Sequence, residues 1–377
     1  MTSEAMTKPH LQRGERHLRV LVYANVDRAE IGGVQSVVRS LRDHLLARDH
    51  TVMTGWSGST DGLTDAGADG WVEQFPVLSG PRWLHLRTLA RVIVRLLRAR
   101  PNVVSIHFAS ASTRYFNFLA PILGFRVLLT CHGSDMLRTR PEDVAHISSV
   151  LRGAAAITAV SEDIGQQIVS KNNGLETPIA VIANGIDTEF WKPPQTSRAS
   201  GPQVLAAIGR LAPVKGFDVL IDALDAARRK GAEARLVLIG DGPERQALEA
   251  QAERLGISAS VEFTGPLVRH QIRERLHAAD LFVMPSRSEG MPLALLEAMA
   301  SGTPVLASRV GGVPHVAGGC GVLVEPEDRD ALSDALVAFL ADSDARLRLA
   351  QQARVRAQDF SIERSHRAYE EQMLALL

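Results

Sequence analysis

Short apolar runs alternate with longer amphipathic stretches along most of the chain, and this rhythm narrows the choice of fold more than any other feature. Val20 to Tyr23, Val103 to Ile106, Val127 to Thr130 and Ile157 to Val160 read as buried strands, with helical stretches such as Gln35–Ala47 and Leu84–Ala99 between them. Strands separated by helices imply βαβ units, because parallel neighbours need a long crossover. The rhythm breaks at Lys192-Pro193-Pro194-Gln195-Thr196-Ser197-Arg198-Ala199-Ser200-Gly201-Pro202, a composition suited to a linker. It restarts with Val204 to Ile208, Arg235 to Ile239, Val261 to Thr264, Leu281 to Met284 and Val305 to Ala307, and with helices such as Phe217–Arg229 and Glu244–Leu255. The expected fold class is α/β, with two Rossmann-like, doubly wound parallel-sheet domains over 18–194 and 195–359. Such sheets bind ligands at the carboxyl ends of their strands, so the expected site is an interdomain cleft.

At 377 residues the chain has room for two or three domains. Its formal net charge of zero points to no nucleic-acid partner. Cys131 and Cys320 stand far apart, which argues against a disulfide framework or zinc ribbon and fits a reducing cytoplasm. Residues 1–17 are polar, lack the apolar run of a secretory signal and read as a disordered extension. No stretch reaches the roughly 18 apolar residues that a spanning helix needs.

Polar and glycine-rich segments recur where these strands end. Gly32-Gly33 opens the first helix, where free backbone N–H groups favour a phosphate; a plain tight turn is the alternative. Cys131-His132-Gly133-Ser134-Asp135 follows the strand ending at Thr130, and Asp135 or Ser134 starting a turn would explain it equally well. Cys131 beside His132 makes a poor nucleophile pair, since strand neighbours point apart. Arg210 and Lys215, framed by Gly209 and Gly216, place two cations at the mouth of a helix, matched to a diphosphate or simply solvated. Gly240-Asp241-Gly242-Pro243 ends another strand, with Pro243 suited to a first helical turn. The richest segment runs from Pro285 to Gly302. Pro292 marks a helix start and Gly302 its end. Leu293, Leu296 and Ala300 make one face, and Ala294, Glu297, Ala298 and Ser301 another, where a lone carboxylate among small residues leaves room for ligand hydroxyls. Glu289 lies just ahead of the helix N-terminus, where dipole complementation is its alternative reading.

Taken together these segments resemble the retaining glycosyltransferase family 4, with the GT-B fold. The resemblance covers most of 18–377. It is carried by Gly32-Gly33, His132-Gly133, Asn184-Gly185-Ile186-Asp187, Gly209-Arg210, Lys215-Gly216, Gly240-Asp241-Gly242-Pro243, Pro285-Ser286, the Glu289-x7-Glu297 pair and Gly311-Gly312. It implies that Arg210 and Lys215 hold the diphosphate of a UDP- or GDP-sugar and that Glu297 takes the ribose hydroxyls. Glu289 would meet the sugar hydroxyls, with Gly290, Met291, Pro292 and Leu293 near sugar and phosphates. Gly32 and Gly33, with Gly240 and Gly242, complete the implied donor site, and His132 is the group expected near the reacting carbon. The implied catalytic set is His132, Glu289, Arg210 and Lys215. Phe360–Leu377 would be the helix that crosses back to the first domain. Two departures stand out. Pro314-His315 replaces the usual Pro-Glu, leaving the choice of sugar open, and Ile362 stands where an aromatic is usual.

The resemblance implies hexosyl transfer with retention to a glycan, lipid-linked or small-molecule acceptor, in cell-surface polysaccharide or glycolipid synthesis. A nucleotide-sugar epimerase of the same shape, or a non-catalytic sugar-nucleotide-binding partner subunit, remain alternatives. No cofactor or essential metal is expected: Asp328-Arg329-Asp330 and Asp342-Ser343-Asp344 resemble metal-binding Asp-x-Asp strings but read as helix starts. Residues 74–134 hold eight arginines and no acid, with Arg87, Arg91, Arg95 and Arg98 at helical spacing. That stripe is either an ordinary solvated helix face or a peripheral contact with an anionic membrane, at the cytoplasmic face if the latter.

Overall fold

The computed structural model describes residues 16–26, 32–58, 65–67, 70–76, 82–110, 113–137, 144–194 and 203–377. Residues 1–15 of the N-terminal extension and 195–202 of the linker candidate lie outside these. The chain divides into two compact units, one made of 1–183 with 365–377, the other of 184–364. Residues 184–194 and 360–364 therefore fall in the second unit, whereas the strand–helix rhythm puts 184–194, and the family resemblance puts the helix of 360–377, with the first domain.

The first unit runs β1 (Arg19–Ala24), α1 (Gly33–Ala47), β2 (Thr51–Gly58), β3 (Asp65–Gly67), β4 (Gly70–Pro76), α2 (Arg82–Ala99), β5 (Val103–His107), α3 (Arg114–Leu123), β6 (Arg126–Cys131), α4 (Ser134–Leu137), α5 (Val144–Gly153), β7 (Ala156–Ala159), α6 (Glu162–Lys171) and β8 (Ile179–Val181). Its sheet has the order β3-β4-β2-β1-β5-β6-β7-β8, parallel except for β3, which pairs antiparallel at the edge. β1 to β2 steps one way along this order, whereas β4 to β5 and β5 to β6 step the other. Right-handed crossovers then put α1 on one face and α2 and α3 together on the opposite face.

The second unit runs β9 (Gln203–Ile208), α7 (Phe217–Arg229), β10 (Ala234–Ile239), α8 (Arg245–Arg254), β11 (Val261–Gly265), α9 (Arg269–Ala278), β12 (Leu281–Met284), α10 (Leu293–Ala300), β13 (Val305–Ser308), α11 (Val313–Ala317), β14 (Val322–Val324), α12 (Arg329–Ala341) and α13 (Ser343–Ala357). Its six strands are parallel in the order β11-β10-β9-β12-β13-β14. The central strands are apolar on both faces: β12 and β13 are buried along their whole length. This is the α/β fold of two Rossmann-like, parallel-sheet domains expected from the rhythm.

The last helix, α14 (Ile362–Ala375), begins in the second unit, and from Ser365 it belongs to the first. There Tyr369 and Met373 enter the core formed by alternate residues of β1 and one face of α1. Glu370, 3% exposed, accepts from His44 Nε2 (2.9 Å), His50 Nε2 (3.0 Å) and Arg48 Nε (3.3 Å). Those partners hold its carboxyl well below the usual carboxylate range despite its burial.

Candidate active site

In the second unit, tight backbone packing brings the expected site residues together. Lys215 ends a 3₁₀ turn, Pro213–Lys215, and Gly216 follows with φ +65°. A Cβ on Gly216 would collide with the Pro285 carbonyl, so the loop after β9 lies directly against the loop after β12 only because residue 216 is glycine. The consequence is a direct ion pair. Lys215 Nζ donates to Glu289 Oε1 at 2.6 Å, and Ser286 Oγ donates to the same oxygen at 2.7 Å. Glu289 is 8% exposed. The sequence reading gave these two residues separate partners; the structure joins them.

Arg287 braces the same junction. Its guanidinium forks onto both Asp218 oxygens (2.8 and 2.7 Å), reaches the Pro213 carbonyl, and gives Nε to Glu327 at 3.0 Å. Asp218 is held below its ordinary range by this pairing, which outweighs its partial burial. Arg210 is exposed, and its guanidinium has no partner among the described residues. It is a cation presented to solvent at the end of β9.

Gly290 to Leu293 lead into α10 and are fixed from two sides. Gly312 N–H donates to Gly290 O at 2.9 Å, and Gly311 (φ +49°) lies so close to Glu289 O that no side chain fits. Asn184 Nδ2 donates to Met291 O at 2.8 Å. Pro292 is the residue before the first helical turn, and Gly302 (φ +69°) ends the helix. The burial pattern of α10 differs from the one expected. Leu295, Leu296, Ala298, Met299 and Ala300 are buried, and the open side carries Leu293, Ala294 and Glu297. The helix packs on both of its flanks, so its apolar arc is wider than one stripe. Glu297 is half-buried, and burial pushes its carboxyl up to about 7, against the pull of Arg269.

Gly240 and Gly242 serve the backbone. A Cβ on either would collide with Gly209 O or Leu211 O, and Leu211 N–H and O pair with Asp241 O and the Glu244 N–H at 2.9 Å each. The close approach that these glycines allow is that of the Arg210 loop itself. His315 is exposed and packs edge-on against Phe360 at 5.9 Å between centroids, while the adjacent Phe360 O accepts from Ile186 N–H. Asp328 and Asp342 cap α12 and α13, accepting from Ala331 N–H (2.9 Å) and Ala345 N–H (2.8 Å).

In the first unit, Gly32 precedes α1 in extended backbone and Gly33 opens the helix, with no side-chain cap on its N-terminus. Asp135 is the turn-former expected after β6. Its buried carboxylate accepts from Gly133 N–H (2.8 Å), His132 N–H (3.1 Å) and Ala109 N–H (3.0 Å), tying the end of β6 to the end of β5. Burial raises its pKa against those three donors. The same burial pushes the Cys131 thiol up, so Cys131 is structural. His132 Nε2 meets His107 Nδ1 at 3.1 Å. His107 lies outside the motifs that the sequence singles out. The period-two spacing of Val103, Ser105 and His107 at a strand end, polar where a core strand should be apolar, is the signal that marks it.

Two family models match. The one described as Glycosyltransferase Family 4 matches residues 31–190, and Glycosyl transferases group 1 matches residues 189–356. The chain belongs to glycosyltransferase family 4. It is 29% identical over 358 residues to the GDP-mannose-dependent alpha-(1-6)-phosphatidylinositol monomannoside mannosyltransferase of Mycobacterium tuberculosis, covering 86% of this chain and 90% of that protein. It is 37% identical over 205 residues to the D-inositol 3-phosphate glycosyltransferase of Corynebacterium urealyticum, covering 49% of this chain and 48% of that protein. Among solved structures, sucrose-phosphate synthase from Thermosynechococcus elongatus superposes with a TM-score of 0.79 at 21% identity, covering 96% of this chain and 99% of that one. Anabaena HepE in complex with UDP superposes with a TM-score of 0.77 at 20% identity, covering 94% and 99%. The protein is thus an enzyme, a glycosyltransferase of the GT-B fold.

Proposed function

We propose that this glycosyltransferase moves a hexosyl unit, with retention, from a UDP- or GDP-sugar to an acceptor hydroxyl on a lipid-linked or other glycan in cell-surface polysaccharide or glycolipid synthesis. The Lys215–Glu289 contact just ahead of α10, with Arg210 exposed at the end of β9, carries this reading. As the donor bond breaks, charge grows on the leaving diphosphate. Two cations and the first-turn N–H groups of α10 are the fixed charges suited to stabilise it. Glu297, on the open side of the same helix, suits the ribose hydroxyls. In the first unit, His132 and the Gly32-Gly33 helix start are the groups proposed to meet the sugar and the diphosphate. In the chemistry that we favour, the anomeric carbon–phosphate oxygen bond breaks and the carbon–acceptor oxygen bond forms on the same face. The acceptor proton passes to the departing phosphate. No step calls for a metal ion.

The long match to a GDP-mannose-dependent enzyme makes GDP-mannose the first donor to try. A panel of nucleotide sugars, read by thermal shift and then by transfer, tests the proposal. A ligand at 100 times its Kd adds about 2.7 kcal/mol of stability. Stabilisation by no nucleotide sugar would sink it, and conversion of a nucleotide sugar without an acceptor would favour an epimerase instead.

A membrane-facing acceptor fits the first unit. The outer faces of α2 and α3 mix cations with apolar side chains: Arg91, Val94 (46% exposed), Leu97 (54%) and Arg98 on α2; Arg114, Phe118 (62%) and Ile122 (64%) on α3. The Arg87 side chain lies outside the described residues. No helix among the described residues is long and apolar enough to cross a membrane. The reading that we propose from this mixed surface is a peripheral position, on an anionic bilayer at its cytoplasmic face.

A further inference from the structure

The inner face of the first sheet ends in two neighbouring histidines. His107 closes β5 and His132 follows β6, and the parallel register sets His107 beside Thr130, two residues before His132. Both rings therefore lie on the same side of the sheet, the side that holds Tyr369 of α14, whose ring centroid is 5.6 Å from that of His107. The two imidazoles meet nitrogen to nitrogen, His107 Nδ1 to His132 Nε2, at 3.1 Å. His107 is fully buried, and its other nitrogen, Nε2, lies 3.4 Å from Ser105 Oγ. Asp135 directs both of its oxygens to the backbone N–H groups of Ala109, His132 and Gly133.

This arrangement has a chemical consequence. A short contact between two imidazoles needs one proton between them, on one nitrogen only. With both rings neutral, the nitrogen that carries that proton decides which nitrogen of His132 is left bare. Burial keeps both rings neutral: it lowers His132 to about 4 and His107 well below its ordinary value, and the neighbouring His132 disfavours charge on His107 further. Half-buried His132 is the outer member of the pair.

We infer that His107 is a positioning residue which fixes the tautomer and ring orientation of His132, so that His132 offers one defined nitrogen, Nδ1, to the transferring sugar. The part about the sugar rests on the proposed function; the part about the tautomer stands without it. Asp135 supplies the other half of the placement by locking the backbone of His132 to that of the β5 end.

The test uses the full chain labelled with ¹⁵N-histidine. Wild type should show His132 as a single neutral tautomer near pH 7, with one protonated and one bare ring nitrogen. His107→Phe keeps a flat ring in the core but removes the contact. It should move the His132 nitrogens toward the averaged values of a free imidazole, and lower kcat roughly tenfold, the scale on which functional imidazoles in metal sites feel the loss of a partner. The KM for the nucleotide sugar should hold. His107→Gln, which keeps a hydrogen-bonding atom in reach, should restore part of both and serves as the readout if His107→Phe does not fold. Unchanged His132 nitrogen signals in the variants, or averaged signals in wild type, overturn the inference. Absence of transfer from any nucleotide sugar by wild type, with the tautomer effect intact, would instead count against the proposed function.

Discussion

Lys215 Nζ and Glu289 Oε1 stand 2.6 Å apart, so the cation assigned to the diphosphate and the carboxylate assigned to the sugar are already each other's partner. Neither is independent of the other. Removing Lys215 leaves Glu289 buried with only Ser286 Oγ, and removing Glu289 frees an ammonium whose position it had fixed.

Single and double substitutions measure this coupling. Arg210→Ala and Lys215→Ala should each weaken binding of a nucleoside diphosphate by about 1.5–3 kcal/mol, the usual worth of a charged hydrogen bond. Lys215→Ala and Glu289→Ala should combine non-additively, by roughly 0.5–3 kcal/mol, whereas Arg210→Ala with Glu289→Ala should be closer to additive. Calorimetric titration checks both. Unchanged affinity in Arg210→Ala and Lys215→Ala, with the fold intact, refutes the donor assignment.

Glu297 gives donor binding a pH dependence. Its folded pKa of about 7 lies above the roughly 4.3 of an unfolded glutamate, so the folded state holds the proton more tightly. Stability of the free enzyme should therefore fall as pH rises from about 4 to about 7, and Glu297→Gln should flatten that slope. Ribose hydroxyls donate to the charged form, so nucleotide affinity should rise between pH 6 and 8 in wild type and stay level in Glu297→Gln. A flat wild-type profile would show that Glu297 does not take the ribose.

The α14 carboxylate has the opposite sign. The folded pKa of Glu370 is depressed by His44, His50 and Arg48, so its stabilising effect is fully present above the unfolded value of about 4.3 and is lost as pH falls through the folded one. Glu370→Gln should destabilise the protein by about 1–3 kcal/mol at neutral pH, because buried donors lose their acceptor, and the deficit should shrink in acid. Denaturant melts at pH 7 and pH 3.5 decide this; an equal deficit at both would place the effect in packing.

Sedimentation with anionic liposomes tests the α2–α3 surface. Wild type should pellet at low salt and less at high salt. Phe118→Ser with Ile122→Ser, and separately Arg87→Gln with Arg91→Gln and Arg95→Gln, should each reduce pelleting. If wild type stays in the supernatant at low salt, the membrane assignment is dropped.

Activity should survive a chelator. Asp328 and Asp342, the residues that open the two Asp-x-Asp strings, spend a carboxylate oxygen on capping a helix. Loss of transfer in chelator, restored by magnesium or manganese, would overturn the metal-free reading.

Where strands are apolar and fully covered, local pattern is enough to reveal them. β1, β5, β6, β7, β9, β10, β12 and β13 were legible because buried parallel strands need continuous apolar residues, and the half-buried edge strand β11 was legible from its place in the strand–helix rhythm. β2, β4, β8 and β14 were not. β8 and β14 are apolar but only three residues long, β8 half-buried or exposed and β14 half-buried, so neither shows the longer run that marks a core strand. The candidate site residues were likewise named from the spacing of Gly, Arg, Lys and Glu. Their pairings were not. Lys215 meets Glu289 only because Gly216 lets two distant loops touch, and Gly240 and Gly242 turned out to make room for Leu211 and Gly209. His107 stayed hidden because a histidine in a strand is ordinary until the neighbouring strand brings another imidazole against it. Local pattern depends on residues a few positions apart, which the sequence displays. A proton's place between two nitrogens depends on residues 25 apart held at 3.1 Å, and only the folded chain sets that distance.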